Sequence, residues 1–192
     1  MKKKEDLRPK FKLIQGGRRS EVTLGSVRIV AAPEDHPPFP VEAVVLEEDT
    51  YLVLSAGWDK IESDDPPVVI LTEAFDAKPE EPGSVVVSEE SPLRFLAVVY
   101  DLDQEPSWRE QWVERALEGI FREAERRRLQ TIALPFMGTK HGSLGKERFL
   151  VLLRGFLERN RSPHPLRVWL ALPGNTSPKI IDLLDEDPKK NR

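Results

Sequence analysis

The chain of 192 residues is long enough to bury one substantial core and too short for two full domains. A hydrophobic fraction of 39%, a charged fraction of 32% and a net charge of -4 describe an ordinary globular protein. They argue against general nucleic-acid binding and against an anionic membrane surface as partner. The absence of cysteine excludes a disulfide framework, a thiolate metal site and a cysteine nucleophile, and points to the cytoplasm.

No stretch approaches the roughly 18 apolar residues of a membrane span, and no apolar h-region follows the basic start, so neither a spanning helix nor a signal peptide is expected. Four Gln, three Asn and two Met beside 17 Pro form the composition expected of a thermophile protein.

In chain order, residues 1–10 read as a flexible lead-in, 11–187 as a single α/β domain and 188–192 as a tail. "FKLIQ" (11–15) and "EVTLGSVRIVAA" (21–32) read as an opening pair of strands turning at Gly16 and Gly17. "PEDHPPFP" (33–40) breaks the chain, because prolines lack the amide a ladder needs. "VEAVVL" (41–46) suits a buried strand, whereas "YLVLSAGWDKI" (51–61) fits either a strand or a strand entering a helix. "VVILTEAF" (68–75) is equally open between helix and strand; "EEPGSVVVSEE" (80–90) and "LRFLAVVYDLD" (93–103) read as strands.

"SWRE" at 107–110 predicts a helix that starts at a capping box, with Ser107 and Glu110 as reciprocal partners. Val113, Ala116, Leu117, Ile120, Phe121 and Ala124 then recur at helical spacing. The triplet Arg126, Arg127 and Arg128 sits near the negative end of the helix dipole, a simpler account of it than phosphate binding. "LQTIALPFM" (129–137) is a buried strand, and "KERFLVLLRGFLERN" (146–160) a helix whose inner side carries Phe149, Leu150, Leu153, Phe156 and Leu157. "LRVWLALP" (166–173) is a core strand, and Ser177 with Pro178 opens a last short helix. Strands alternating with helices in this half require parallel pairing, so a central mixed sheet between helical layers is the economical fold.

Chemistry concentrates in "LPFMGTKHGSLGKE" (134–147), between a core strand and a helix N-terminus, where open α/β sheets bind ligands. Gly138, Gly142 and Gly145 allow close backbone approach; Thr139 and Ser143 offer hydroxyls and Lys140 a charge. No Gly-Lys-Ser/Thr closes it, so it is not a Walker A loop. His141 is better placed as a loop-stabilising or ligand-contacting residue than as a general base, and His36 and His164, beside prolines, are expected in solvent.

"TIALPFMGTKHGSLGKERFL" resembles the second phosphate-binding loop of macro domains, in the prokaryotic variant with Gly-Thr-Gly-His-Gly-Gly-Leu. Gly138, Thr139, His141, Gly142 and Leu144 match in place, and Lys140 and Ser143 stand where that pattern has glycine. "PVEAVVLEEDTYLVLSAGWDKI" is similar to the segment leading to the first phosphate loop, with Ser55, Ala56 and Gly57 at the loop. Leu46, Glu47, Glu48 and Asp49 replace its asparagines. "PGSVVVSEESPLRFLAVVYDLD" is similar to the strand pair before the long helix, and the likeness as a whole covers roughly residues 20–172.

The resemblance implies a three-layer α/β/α sandwich with a cleft for ADP-ribose or a related phosphate-bearing nucleotide. Its implied ligand set is Gly138, Thr139, Lys140, His141, Gly142, Ser143, Ser55, Ala56 and Gly57, with Asp35 or the adjacent Glu34 on the adenine. No cofactor and no metal are implied. Loss of the asparagines favours binding without catalysis. The alternatives are a degenerate domain serving protein assembly as a homo-oligomer, and an ADP-ribosyl hydrolase using His141 or Asp49 to orient water.

Overall fold

The computed structural model describes residues 21–54, 78–174 and 176–185. Its elements are β1 (Glu21–Leu24), β2 (Val27–Pro33), β3 (Ala43–Asp49), β4 (Val85–Ser88), β5 (Leu93–Tyr100), α1 (Glu110–Arg126), β6 (Thr131–Leu134), α2 (Lys146–Arg159), β7 (Leu166–Leu172) and a 3-10 helix (Pro178–Leu184). The strands form one mixed sheet in the order β1-β2-β7-β6-β3-β5-β4. The five central strands run parallel, and β1 and β4 close the edges antiparallel. The fold is thus α/β, as the alternation of strands and helices requires.

Strand alternation divides the core in two. One face of the sheet, with Ile29, Val45, Phe95, Ala97, Ile132, Leu134, Val168 and Leu170, packs against both α-helices and the 3-10 helix. Phe39, Ala133, Trp169 and Ala171 form a smaller cluster on the other face. Among the described residues, no α-helix covers that second face.

Helix α1 buries Val113, Ala116, Leu117, Ile120 and Ala124 as its spacing predicts, while Phe121 is half-buried and packs on Phe156 at 5.0 Å. Each fully buried Leu or Ile contributes roughly 1.5–3 kcal/mol relative to exposure. Gly119 faces β4 so closely that a Cβ would stand 2.7 Å from Val85 Cγ2. The inner residues expected on α2 are all buried. Ser177 caps the last helix by accepting from the Lys179 amide at 3.4 Å, and the helix is of the 3-10 type.

Four expectations are corrected. The stretch 21–32 is not one strand: Gly25, with φ 61, turns it into the hairpin β1–β2 through Gly25 and Ser26, a glycine-first two-residue turn. The proposed partner strand at 11–15 and its Gly16–Gly17 turn lie outside the described residues, as does 68–75. The Ser107 capping box does not form. Helix α1 begins at Glu110 after Arg109, with no side-chain cap. Ser107 instead lends its carbonyl to the Asp101 amide at 2.8 Å, and Glu110 turns to Arg148 at 2.7 Å, an ion pair that draws its carboxylate from the helix start. His164 is half-buried rather than solvated, its Nε2 2.5 Å from the Leu129 carbonyl oxygen. Finally, residues 51–54 are a turn, not a strand, with Leu52 at φ 58.

The arginine triplet is engaged locally. Arg126 pairs with Glu123 at 2.7 Å, Arg127 with Glu89 at 2.7 Å and Glu123 at 3.3 Å, and Arg128 takes φ 55 as the helix ends.

Candidate functional site

Because β2, β3, β5 and β6 run parallel, their carboxyl ends deliver Glu34, Glu47, Tyr100 and Pro135 to one edge of the sheet. A cavity of about 610 Å3 opens there, lined by Glu34, Glu47, Pro135, Lys140 and His141 and reaching along the sheet past Val44 and Leu46 to Arg94.

The loop after β6 is wound on itself. Pro135 ends the ladder, and the Met137 amide bonds back to its carbonyl at 3.0 Å. Thr139 returns both its amide, at 3.3 Å, and its hydroxyl, at 2.8 Å, to the Phe136 carbonyl. Gly138 takes φ 77, which a side chain rarely adopts, and its carbonyl accepts the Leu144 amide at 3.2 Å, closing the loop. Leu144 is buried beneath it. At Gly142 a Cβ would lie 2.5 Å from the Gly138 carbonyl oxygen and 3.0 Å from the Trp108 ring. Glycine is therefore required at 138 by conformation and at 142 by space. Lys140, His141 and Ser143 remain exposed.

The acidic run at the end of β3 separates into two roles. Glu48 and Asp49 are fully buried. Glu48 Oε2 accepts the Leu54 amide at 2.9 Å, and Asp49 accepts the amides of Tyr51 at 2.6 Å and Val53 at 3.4 Å. A register shift between Glu48 and Asp49 turns consecutive side chains to this task. Both carboxylates thus fold the turn at 50–54.

Glu47 differs. Its Oε2 accepts the Tyr100 hydroxyl at 2.5 Å, and the Tyr100 oxygen in turn accepts the His141 amide at 3.3 Å. The His141 ring meets the Tyr100 ring edge-on at 5.7 Å. Burial raises the Glu47 carboxyl pKa above its ordinary value, opposed by the Tyr100 hydrogen bond, the Gly138 amide and the charge of Lys140. Burial and the neighbouring Glu47 push the Tyr100 phenol up as well. A phosphate oxygen held about 4 Å from an ionised Glu47 would meet on the order of 4 kcal/mol of repulsion at an effective dielectric near 20.

No protein-family model matches the chain, and no curated protein matches it by sequence. Solved structures do share its architecture. The macrodomain of Thermus aquaticus DarG superposes with a TM-score of 0.53 at 21% identity, covering 77% of this chain and 98% of that one. The Oceanobacillus iheyensis macrodomain with ADP gives 0.59 at 13% identity over 88% and 94%. A mutant of that macrodomain with ADPR gives 0.62 at 12% identity over 88% and 96%. The chain has the macrodomain fold.

Within this macrodomain fold, the sequence-predicted residues are distributed unevenly. Lys140 and His141 line the cavity; Gly138, Thr139, Gly142 and Ser143 belong to the same loop, though the Thr139 hydroxyl proton is already donated within it. Of the early acidic pair, Glu34 lines the cavity, whereas Asp35 is exposed and pairs with His36 Nδ1 at 2.8 Å. That contact holds the Asp35 carboxyl below its usual range. Asp49 is turned to backbone amides. Ser55, Ala56 and Gly57 lie outside the described residues. The sequence reading missed Tyr100 as the partner of Glu47; the signal was a lone polar tip ending an apolar strand at the sheet edge that carries the loop. Among the described residues, no group of three His, Cys, Asp or Glu side chains could hold a metal ion, and no helix is long and apolar enough to cross a membrane.

Proposed function

We propose that this macrodomain-fold chain binds ADP-ribose or a related phosphate-bearing nucleotide, without catalysing its release. The observation that carries the reading is the juxtaposition of the 138–143 loop with a cavity of about 610 Å3 at the carboxyl edge of the parallel strands. In this reading the amides of the loop and the charge of Lys140 meet the phosphates, and Glu34 reaches the adenine amino group. Asp35 takes no part in it as placed. Neighbours of the same fold with ADP and with ADPR support the choice of ligand class.

Two features favour binding over hydrolysis. Asp49 commits its carboxylate to the amides of Tyr51 and Val53, so it is not free to orient water. His141 is exposed and has its ring edge against Tyr100, with no acid-base partner among the described residues. Addition of ADP-ribose is expected to raise the melting temperature, and Gly142→Glu to abolish the shift. No shift with ADP-ribose, ADP or AMP would sink the reading and favour the assembly alternative.

A further inference from the structure

One amide of the glycine-rich loop, that of His141, is in this chain turned toward a side chain rather than toward open space. The His141 amide donates to Tyr100 Oη at 3.3 Å, and that hydroxyl donates to Glu47 Oε2 at 2.5 Å. A carboxylate is itself a compact oxyanion, and Glu47 is tied to the loop through the Tyr100 hydroxyl, on the side of the cavity where a phosphate oxygen would approach. It arrives there because β3 continues beyond its apolar residues and delivers Glu47 to the strand's carboxyl end. Glu48 and Asp49 are held by the turn at 50–54 and do not compete for the position.

We propose that Glu47 is the specificity-determining residue of the loop: its carboxylate occupies the anion position, and a phosphate enters only when Glu47 is protonated or displaced. The proposal rests on the nucleotide-binding reading and deepens it. An ionised Glu47 repels phosphate and competes for the same donors. A neutral Glu47 removes the repulsion while Tyr100 still bonds to it. The charged and titratable groups around Glu47 are Tyr100 from β5 and Lys140 and His141 from the loop, and Glu34 and Arg94 line the same cavity further along. Lys140 attracts the same anion that Glu47 repels.

The experiment is calorimetric titration of the full chain and of Glu47→Gln with ADP-ribose at pH 5 and pH 8. The wild type is expected to bind at least tenfold more tightly at pH 5. At pH 8 the Gln variant is expected to bind at least tenfold more tightly than the wild type, with most of its pH dependence gone. Glutamine keeps the size of Glu47 and can accept from Tyr100, and the wild-type pH series stands without any variant. A Gln variant that keeps the whole pH dependence would assign it to a group other than Glu47 and overturn the proposal. Equal wild-type affinity at both pH values, with an unchanged Gln variant, would overturn it while leaving nucleotide binding intact. No binding by either protein at either pH would overturn both.

Discussion

Tyr100 Oη stands 2.5 Å from Glu47 Oε2, joining the ends of two adjacent parallel strands beneath the loop whose His141 amide caps the same hydroxyl. Burial, the largest influence on Glu47, raises its carboxyl pKa in the fold. As pH rises, the unfolded chain gives up this proton first. The contribution of Glu47 to stability is therefore most favourable below the ordinary carboxylate range, falls as pH rises to the raised folded value, and stays level above it. Other carboxylates titrate in the same window, so the difference between proteins is the quantity to follow. Denaturant midpoints from pH 4 to 7 should show the wild type losing ground to Glu47→Gln as pH rises; parallel curves would contradict the assignment.

Gly142→Ala should destabilise the domain by about 1–3 kcal/mol, because the new methyl must push against the Gly138 carbonyl and the Trp108 ring. Gly145→Ser offers the opposite case. Gly145 is the extended residue before α2, has no side-chain cap and has room for a Cβ, 3.6 Å from the Glu147 carboxylate. A serine there can accept a free helix amide, for a gain of a few tenths of a kcal/mol. Urea unfolding of both variants checks the pair, and a neutral Gly142→Ala would mean the loop gives way more easily than its contacts imply.

Asp49→Ala should cost about 1–3 kcal/mol, since the amides of Tyr51 and Val53 lose their acceptor at a fully buried position. Asp49→Asn keeps one oxygen for Tyr51 and should cost less. If both substitutions cost the same, the negative charge rather than the acceptor geometry holds the turn.

Thr50 has its hydroxyl oxygen buried without a hydrogen-bond partner among the described residues. Valine has nearly the same shape and no polar atom to leave unsatisfied. Thr50→Val is therefore expected to be neutral or to raise stability by up to about 1 kcal/mol, against the usual loss on core substitution. A clear fall in the unfolding midpoint would reveal a partner for the hydroxyl.

Elements are legible in the sequence wherever period and composition alone decide them. Val113, Ala116, Leu117, Ile120 and Ala124 recur at helical spacing, and the helix buries that face. The apolar runs of β6 and β7 are legible for a related reason, since both strands lie in the middle of the sheet and are buried on its two faces. Local signals fail where a distant partner overrides them. Ser107 and Glu110 have the spacing of a capping box, but Asp101 and Arg148 claim them in space.

The candidate site shows the same division. Its position was determined by the sequence: a glycine-rich stretch between a buried strand and an amphipathic helix must lie at the carboxyl edge of a parallel sheet, because chain direction and crossover geometry leave no other place for it. The fates of Glu47, Glu48 and Asp49 were not. Three consecutive carboxylates look alike along the chain, and only strand pairing, a register shift and the arrival of Tyr100 from β5 assign two of them to backbone amides and one to the loop. Hydrogen-bond partners far apart in sequence are chosen by tertiary proximity, and that choice decides what the loop can hold.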